Sequence, residues 1–397
     1  MPGLSSPTSG SGPRPAQAPI PILLASYYLD LGGSERQLTE TALRLDRRQF
    51  TPHVAVFRAE GIRLREIREV GIPLYEIGLR SFKRPAHLLS RAWRFRRYLQ
   101  ENRIAIAHSF DVPLNIFLVP VARAAGVPVV LSSQRASRDL TPGWQRAALR
   151  FSDRLADGAV VNCLAMRDHL IAEGVAAGRI HLCYNSVDTE RFQPASAPDD
   201  QAGGLRIGTI CGFRPEKGVD VLLRAFAELR RTRPEARLTL VGDGPEGAPL
   251  RRLAAELGLG EDCRFEPATR TPEQWMRRME IFVQPSRSEA LSNSLMEAMS
   301  SGCAVVASRV GGNPELVDDG HTGLLFPSGD APALAARLRE LAEDPERRRR
   351  MAAAARQTMR ERFSPQACIA SMSAIYRQTL SGGLDSGLLP RNREAHG

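Results

Sequence analysis

The sequence has no uninterrupted apolar run long enough to cross a membrane, and it lacks the common motifs of a metal site. The best apolar candidate, residues 115–131, is broken by Arg123, Pro120 and Pro128, whereas a membrane-spanning helix needs about 20 consecutive apolar residues. There is no Cys-x-x-Cys and no His-Glu-x-x-His, and the six cysteines stand singly at positions 163, 183, 211, 263, 303 and 368. We therefore expect a cytoplasmic protein with free thiols, no transmembrane helix and no zinc site.

Lysine and aromatic residues are also scarce. Lys83 and Lys217 are the only lysines, so arginine supplies almost all the positive charge of a chain whose net charge is +10. A basic protein favours anionic partners, such as nucleic acid, a phosphorylated substrate or an anionic membrane. Aromatic residues make up only 6% of the chain and no nucleic-acid recognition motif is present, so we expect no nucleic-acid partner.

Apolar segments with strand character alternate with segments of helical periodicity, which is typical of parallel sheets with helices on both faces. A chain of 397 residues is long enough for two such α/β domains. Strands are predicted at Ile20–Ser26, His53–Phe57, Ile104–His108, Val127–Ser132, Gly158–Val161, Leu205–Cys211, Arg237–Val241, Cys263–Phe265, Ile281–Gln284, Ala304–Ala307 and Gly323–Phe326. The predicted organisation is a disordered tail (1–19), a first domain (20–190), a linker (191–204), a second domain (205–364), a last helix (365–380) and a second disordered tail (381–397).

Two glutamates flank a predicted helix N-terminus in the second domain. Glu289 follows the apolar segment Ile281–Val283 and Glu297 precedes Ala304–Ala307, so Glu289 falls in a loop at the carboxyl end of a strand and Glu297 falls within the following helix. The free amides of Leu291–Ser294 at the helix N-terminus suit an anionic phosphate. The carboxylates on either side can accept hydrogen bonds from sugar or ribose hydroxyls; the alternative is that both are solvated surface charges.

Three further loops carry candidate residues. Arg214 and Lys217 follow the first strand of the second domain, where fixed cations could offset the charge of a leaving diphosphate or could be ordinary surface charges. Gly32 and Gly33 follow the first strand of the chain, where a glycine pair allows backbone to approach a phosphate or sugar, or forms a simple tight turn. His108 ends a predicted strand, at the edge of the sheet where ligands of parallel sheets bind. Its ring could bind an acceptor hydroxyl or act as a base; the alternative is that it forms a hydrogen bond within the end of the strand.

These motifs together resemble a known family. Glu289 and Glu297 are separated by seven residues and are followed by Ala-Met and by Ser-Gly302-Cys-Ala-Val-Val, which looks like the donor-site signature of retaining glycosyltransferases of family four. The segments Pro215–Gly218 and Gly242–Pro245 match two more motifs of that family in the expected order. The resemblance runs from about residue 20 to residue 363 and implies the type B fold, with two Rossmann-like parallel-sheet domains facing a cleft.

The resemblance implies a retaining, metal-independent transferase that moves a sugar from a nucleotide-diphosphate-sugar to an acceptor hydroxyl, in the synthesis of cell-envelope glycan or exopolysaccharide. No cofactor is implied. Glu297 would bind the ribose, Glu289 the sugar, and Lys217 and Arg214 the diphosphate. The donor-binding set would be completed by Gly33, Leu291, Ser292, Asn293 and Ser294. The last helix is implied to cross back to the first domain, which would bind a glycan or a lipid-linked acceptor.

The sequence departs from the family pattern at three places. Gly212 stands where the family often has an arginine, so Arg214 is the candidate substitute. Residues 132–135 read Ser-Ser-Gln-Arg, without the histidine that the family frequently carries there, which weakens a histidine-base mechanism and makes Arg135 a candidate contact for an acidic acceptor. Pro267 replaces the usual glycine of the base-binding region. Two other functions fit the same architecture, namely a sugar-nucleotide 2-epimerase and a non-catalytic nucleotide-sugar-binding assembly subunit.

Residues 87–103 combine five arginines with apolar residues at helical spacing. A basic amphipathic helix can lie on an anionic membrane surface. The alternative is an ordinary domain helix that packs one face and solvates the other. Peripheral contact with the inner face of a membrane is therefore one expectation for this segment.

Overall fold

The computed structural model describes residues 18–30, 32–79, 84–135, 143–195 and 204–385. These residues form two α/β domains, each built on one sheet in which every strand pairing is parallel. The predicted fold class, α/β with two Rossmann-like parallel sheets, is confirmed. Residues 1–17 of the predicted tail at 1–19 and most of the predicted linker lie outside the described residues, as does the predicted tail from residue 386 onward.

The sheet of the first domain has seven strands among the described residues, in the order β3-β2-β1-β4-β5-β6-β7. Their bounds are β1 Ile20–Ser26, β2 Phe50–Val56, β3 Leu74–Glu76, β4 Ile106–Ser109, β5 Val129–Gln134, β6 Gly158–Val161 and β7 Ile180–Leu182. The sequence analysis missed β3 and β7. Both are three-residue edge strands without a fully buried residue, so neither has the apolar run that marks a central parallel strand.

The sheet of the second domain has six strands among the described residues, in the order β10-β9-β8-β11-β12-β13. Their bounds are β8 Arg206–Ile210, β9 Arg237–Val241, β10 Cys263–Glu266, β11 Ile281–Gln284, β12 Ala304–Ser308 and β13 Leu324–Phe326. All six were predicted, with ends that agree within one residue, because strands covered on both faces by helices read as nearly continuous apolar runs.

Helices cover both sheets. In the first domain they are α1 Gly33–Arg44, α2 Leu64–Glu69, α3 Pro85–Glu101, α4 Val112–Ala124, α5 Gly143–Leu155 and α6 Leu164–Ala172. In the second domain they are α7 Val219–Arg230, α8 Gly247–Glu256, α9 Pro272–Met276, α10 Asn293–Ser300, α11 Asn313–Leu316, α12 Ala331–Glu343 and α13 Pro345–Arg362, and a last helix, α14, spans Pro365–Asp385. Within the described residues, no helix is both long enough and apolar enough to cross a bilayer.

Helix α14 returns to the first domain. Met372, Ile375 and Tyr376 are buried in the same apolar cluster as β1 and β2 residues, and the Tyr376 ring packs edge-on against Phe50. The helix starts where it was predicted but ends at Asp385, so residues 381–385 are helical rather than part of a tail. The first domain therefore has a core built from two distant parts of the chain.

A second contact joins the domains through a helix cap. Cys163 precedes α6 and its side chain makes no capping bond, so the first amides of α6 need another acceptor. The Glu315 carboxylate of the second domain accepts from the Leu164 amide at 2.8 and 2.9 Å and from the Tyr184 hydroxyl at 3.0 Å. An acidic group is favourable at a helix N-terminus because it meets the positive end of the helix dipole. Glu315 thus links the second domain to α6 of the first.

Candidate active site

A cavity of about 560 Å³ lies between the two domains. It is lined by loops that follow β1, β5, β8 and β11 and by the start of α10, that is, by the carboxyl ends of parallel strands in both sheets, where ligands of such sheets bind. The structure brings ten of the predicted site residues to this cavity: Gly33, Arg135, Arg214, Lys217, Glu289, Leu291, Ser292, Asn293, Ser294 and Glu297. Their roles stay predictions, but their convergence is a property of the fold.

The N-terminus of α10 points into the cavity. Ser292 caps the helix, with its hydroxyl accepting a hydrogen bond from the Leu295 amide at 3.2 Å. The earlier amides of a helix have no partner within the helix, so they remain available to a bound anion. Gly33 faces this terminus from the first domain, and a Cβ at Gly33 would lie 2.4 Å from the Asn293 side-chain nitrogen. A side chain at position 33 would therefore displace the Asn293 amide.

Lys217 and Glu289 form an ion pair on the second-domain wall. The Lys217 ammonium donates to Glu289 Oε2 at 2.7 Å, and the same oxygen accepts from Gln284 Nε2 at 3.1 Å and Ser286 Oγ at 3.2 Å. Gly218 makes this approach possible: it has a φ of 63°, and a Cβ there would lie 2.2 Å from the Pro285 carbonyl oxygen. The sequence analysis gave the two residues separate ligands and did not foresee that they would bind each other.

Glu297 is buried, and its partner comes from the first domain. Arg36 Nη1 donates to Glu297 Oε1 across the cleft. Burial raises the pKa of Glu297 above its ordinary value, and the positive charge of Arg36 opposes that rise. Sequence reasoning missed Arg36, although its position was a usable signal. It follows Gly33 by three residues, so it lies one turn into the helix that the glycine pair opens.

Arg135 belongs to a hydrogen-bonded series that ends at α10. Its Nη1 donates to Asn185 Oδ1 at 2.7 Å, and Asn185 Nδ2 donates to Asn293 Oδ1 at 2.9 Å. The guanidinium stacks over the Phe110 ring at 4.9 Å, and its buried Nε has no hydrogen-bond partner among the described residues. Arg135 is thus held in a fixed position at the cavity wall, whereas the side chain of Arg214 is 65% exposed and its nearest ion partner is Glu216 at 3.9 Å.

His108 is the one predicted site residue that does not reach the cavity. It is fully buried, with Nδ1 bonded to the Tyr376 hydroxyl and Nε2 to the Ser133 hydroxyl, both at 2.8 Å. Burial, and then the positive charge of Arg135, hold the pKa of His108 well below its ordinary value. The predicted acceptor contact is therefore corrected to a core position, because α14 covers the end of β4 and occupies the histidine.

The cavity wall is predominantly cationic. Among the described residues, the charged side chains that line it are seven cations, Arg36, Arg63, Arg135, Arg191, Arg214, Lys217 and Arg270, and three carboxylates, Glu66, Glu289 and Glu297. Such a wall suits a ligand that carries several negative charges. Within the described residues, no group of three His, Cys, Asp or Glu side chains could hold a metal ion.

The chain matches two families over consecutive segments. Residues 31–191 match Glycosyltransferase Family 4, and residues 203–358 match Glycosyl transferases group 1. A GDP-mannose-dependent alpha-(1-6)-phosphatidylinositol monomannoside mannosyltransferase of Mycolicibacterium smegmatis is 33% identical over 309 residues, 70% of this chain and 79% of that protein. A D-inositol 3-phosphate glycosyltransferase of Streptomyces avermitilis is 36% identical over 224 residues, 50% of this chain and 47% of that protein. The chain thus spans only about half of the second relative.

Solved structures share the fold over nearly the whole chain. The Anabaena HepE protein, crystallised with UDP and glucose, has a TM-score of 0.79 at 21% identity and covers 90% of this chain and 99% of its own. A glycosyltransferase of Rickettsia africae has a TM-score of 0.79 at 18% identity, with 92% of this chain and 99% of its own covered. At these identities the likeness concerns the fold, which is the type B arrangement of two facing Rossmann-like domains. The sequence matches, the two parallel sheets and the residues at their shared cleft place the chain in glycosyltransferase family four.

Proposed function

We propose that this protein is a retaining glycosyltransferase that moves a sugar from a nucleotide-diphosphate-sugar to an acceptor hydroxyl without a metal ion. One observation carries the proposal: Lys217 and Glu289, 2.7 Å apart, lie beside the free amides of α10 in a cavity walled by both domains. A cation, a carboxylate and a helix N-terminus in one place are the groups that a sugar diphosphate needs, because its phosphates require positive partners and its hydroxyls require acceptors.

The donor would bind with its diphosphate at the N-terminus of α10. Phosphate oxygens would compete with Glu289 for the Lys217 ammonium, and Arg214 is exposed enough to turn toward them. Glu289 would keep its contacts with Gln284 and Ser286 and accept hydrogen bonds from the sugar hydroxyls. Glu297 would accept from the ribose hydroxyls once it shares or releases Arg36. The cations and the helix end would offset the charge of the leaving diphosphate, the part that a metal plays in other enzymes.

The chemical step would be attack on the face that the diphosphate leaves. The bond between the anomeric carbon and the phosphate oxygen breaks as the acceptor oxygen bonds to that carbon, and the acceptor proton passes to the departing phosphate oxygen. The anomeric configuration is then retained. Glu289 as a covalent nucleophile is the weaker mechanism, because its Oε2 atom keeps the hydrogen bonds from Gln284 and Ser286, which lower its nucleophilic strength.

The acceptor would approach from the first-domain wall, where Arg135 stands. Two relatives are described as acting on an inositol phosphate and on a phosphatidylinositol mannoside, both of which carry a phosphate. An acceptor that presents an anionic group close to its reactive hydroxyl fits the fixed guanidinium of Arg135. We propose that the activity belongs to the synthesis of envelope or exopolysaccharide glycans, and the likeness to these two relatives supports the proposal.

Transfer assays test the proposal directly. The full chain would be incubated with a panel of UDP-, GDP- and ADP-sugars, first screened by thermal shift, because a donor that binds the native state raises the melting temperature. Acceptors would include inositol phosphates and phosphatidylinositol mannosides, and NMR would give the anomeric configuration of the product. An inverted product would contradict the retaining mechanism. Conversion of the donor sugar to its 2-epimer without an acceptor would support the epimerase instead, and donor binding without turnover would support the non-catalytic subunit.

A further inference from the structure

Two helices of the first domain expose large apolar side chains to solvent. Leu89 and Trp93 on α3 are 69% and 60% exposed, and Trp144 and Phe151 on α5 are 63% and 55% exposed. Leu89 and Trp93 are four residues apart, and Trp144 and Phe151 are seven apart, so each pair lies on one face of its helix. We call these four residues the apolar surface of α3 and α5.

The apolar surface is not needed to pack the domain. The opposite faces of both helices are already buried, α3 through Phe95 and Leu99 and α5 through Leu149. Both helices also contact α4, which lies between them; the Phe95 and Phe117 rings stack at 6.0 Å, and Arg123 of α4 donates to the Leu155 carbonyl of α5 at 2.6 Å. The two exposed faces therefore belong to one side of the domain.

Arginines surround the apolar surface. Those that are exposed on the two helices are Arg94, Arg96, Arg97, Arg146, Arg150 and Arg154. The Arg97 guanidinium lies 6.0 Å from the centre of the Trp93 ring, and its acidic partner is Glu101 of the same helix. Tryptophan with arginine is the combination that anchors proteins at the boundary between lipid headgroups and acyl chains, because the ring is amphipathic and the guanidinium binds phosphate.

Helix α13 shows that positive charge alone does not produce this surface. It exposes Arg349, Arg350 and Arg360, but among the described residues it exposes no large apolar side chain. A purely electrostatic or solubilising role would account for α13 and would not require exposed rings on α3 and α5. Exposed apolar side chains therefore distinguish α3 and α5 from α13.

The position of the surface relates it to the cavity. In a parallel α/β sheet a helix begins near the carboxyl edge of the preceding strand, so α3 and α5 begin on the side where the cavity opens. Trp144 lies in the first turn of α5 and Leu89 in the second turn of α3, so a flat partner on this surface would extend toward the edge of the domain where the cavity opens. We propose that the apolar surface of α3 and α5, with its arginines, docks on an anionic lipid bilayer.

Vesicle sedimentation tests the proposal independently of catalysis. The full chain would be mixed with phosphatidylcholine vesicles with and without phosphatidylglycerol, at low and high salt. Binding should require the anionic lipid and weaken with salt. The double variant Trp93→Ser with Trp144→Ser, and the triple variant with Arg94, Arg96 and Arg97 all changed to Gln, should each bind tenfold or more weakly. A matched triple variant, with Arg349, Arg350 and Arg360 changed to Gln, should bind like the parent.

Three results would overturn the proposal. The first is that the parent does not bind anionic vesicles at low salt. The second is that the double tryptophan variant and the triple arginine variant of α3 bind as well as the parent. The third is that the triple arginine variant of α13 loses as much binding as that of α3. If the parent ignores vesicles and the double tryptophan variant changes the oligomeric state by light scattering, the surface instead contacts a second copy of the chain. Because all substituted side chains are exposed, the melting temperatures should stay close to that of the parent, which separates lost docking from lost folding.

Discussion

Arg36, on the first helix of the first domain, donates a hydrogen bond to Glu297, on the wall of the second domain. The carboxylate assigned to the donor ribose is thus already occupied by a residue from across the cleft. Arg63 and Arg191 also line this part of the cavity. In the proposed function, donor binding and the closeness of the two domains would therefore be coupled through one pair of side chains.

Replacement of Glu297 with alanine should weaken donor binding. Loss of a buried acceptor for two ribose hydroxyls costs about 1–3 kcal/mol, and the donor KM should rise by roughly 5- to 150-fold. The donor KM would be measured by steady-state kinetics at a saturating concentration of acceptor. Glu346→Ala, on the exposed first turn of α13, is the matched control. An unchanged donor KM in a folded variant would place Glu297 outside the donor site.

The change Arg36→Met should shift the pH dependence of donor binding. Only the carboxylate form of Glu297 accepts from both hydroxyls, so the donor KM should rise as the pH falls through the pKa of Glu297. Burial raises that pKa and Arg36 lowers it, so removal of the cation should move the rise to higher pH. KM would be measured from pH 5 to 8 in both proteins. Superimposable profiles would show that Arg36 does not control the ionisation of Glu297.

Lys217→Ala should affect turnover more than donor affinity. Its ammonium faces charge that grows on the leaving diphosphate, so it stabilises the transition state more than the ground state. We expect kcat to fall by about 10²-fold or more, the scale of one lost preorganised partner. Lys217→Arg, which keeps the charge, should recover part of the loss. Near-normal turnover of the alanine variant would remove Lys217 from the chemical step.

Chelation should leave the activity intact. In the proposed mechanism the charge of the diphosphate is met by Lys217, Arg214 and the amides of α10, and no carboxylate is assigned to a metal. Assays in EDTA and in added magnesium or manganese should agree within twofold. Activity that disappears with EDTA and returns with manganese would show that this part of the proposal is wrong.

His108→Asn should reduce stability and leave turnover per folded molecule within about twofold. The substitution breaks a buried contact with the Tyr376 hydroxyl, and a buried polar group without its partner costs about 1–3 kcal/mol. Denaturant unfolding and kcat measured on the same preparation would separate the two effects. A large fall in kcat with unchanged stability would restore a catalytic role for the histidine.

The sequence allowed prediction of features that depend on local pattern. Gly158–Val161 and Ile281–Gln284 were predicted with their observed bounds, because strands buried on both faces are apolar throughout. The start of α10 between Glu289 and Glu297 was predicted from the same alternation of strand and helix. The pairs Arg36–Glu297 and Lys217–Glu289 were not predicted. Their members are 261 and 72 residues apart, so they come into contact only when the domains and loops have packed.

Helix α14 also has a consequence for the order in which the protein can be made. Met372, Ile375 and Tyr376 complete the core of the first domain, but a ribosome delivers them after the whole second domain. Part of the apolar interior of the first domain therefore stays uncovered until the second domain has been translated, whereas domains made of one continuous segment can fold as they emerge. Nascent chains of this protein should depend on chaperones that hold exposed apolar surface, and chains that stop before residue 365 should be degraded rather than accumulate as a stable first domain.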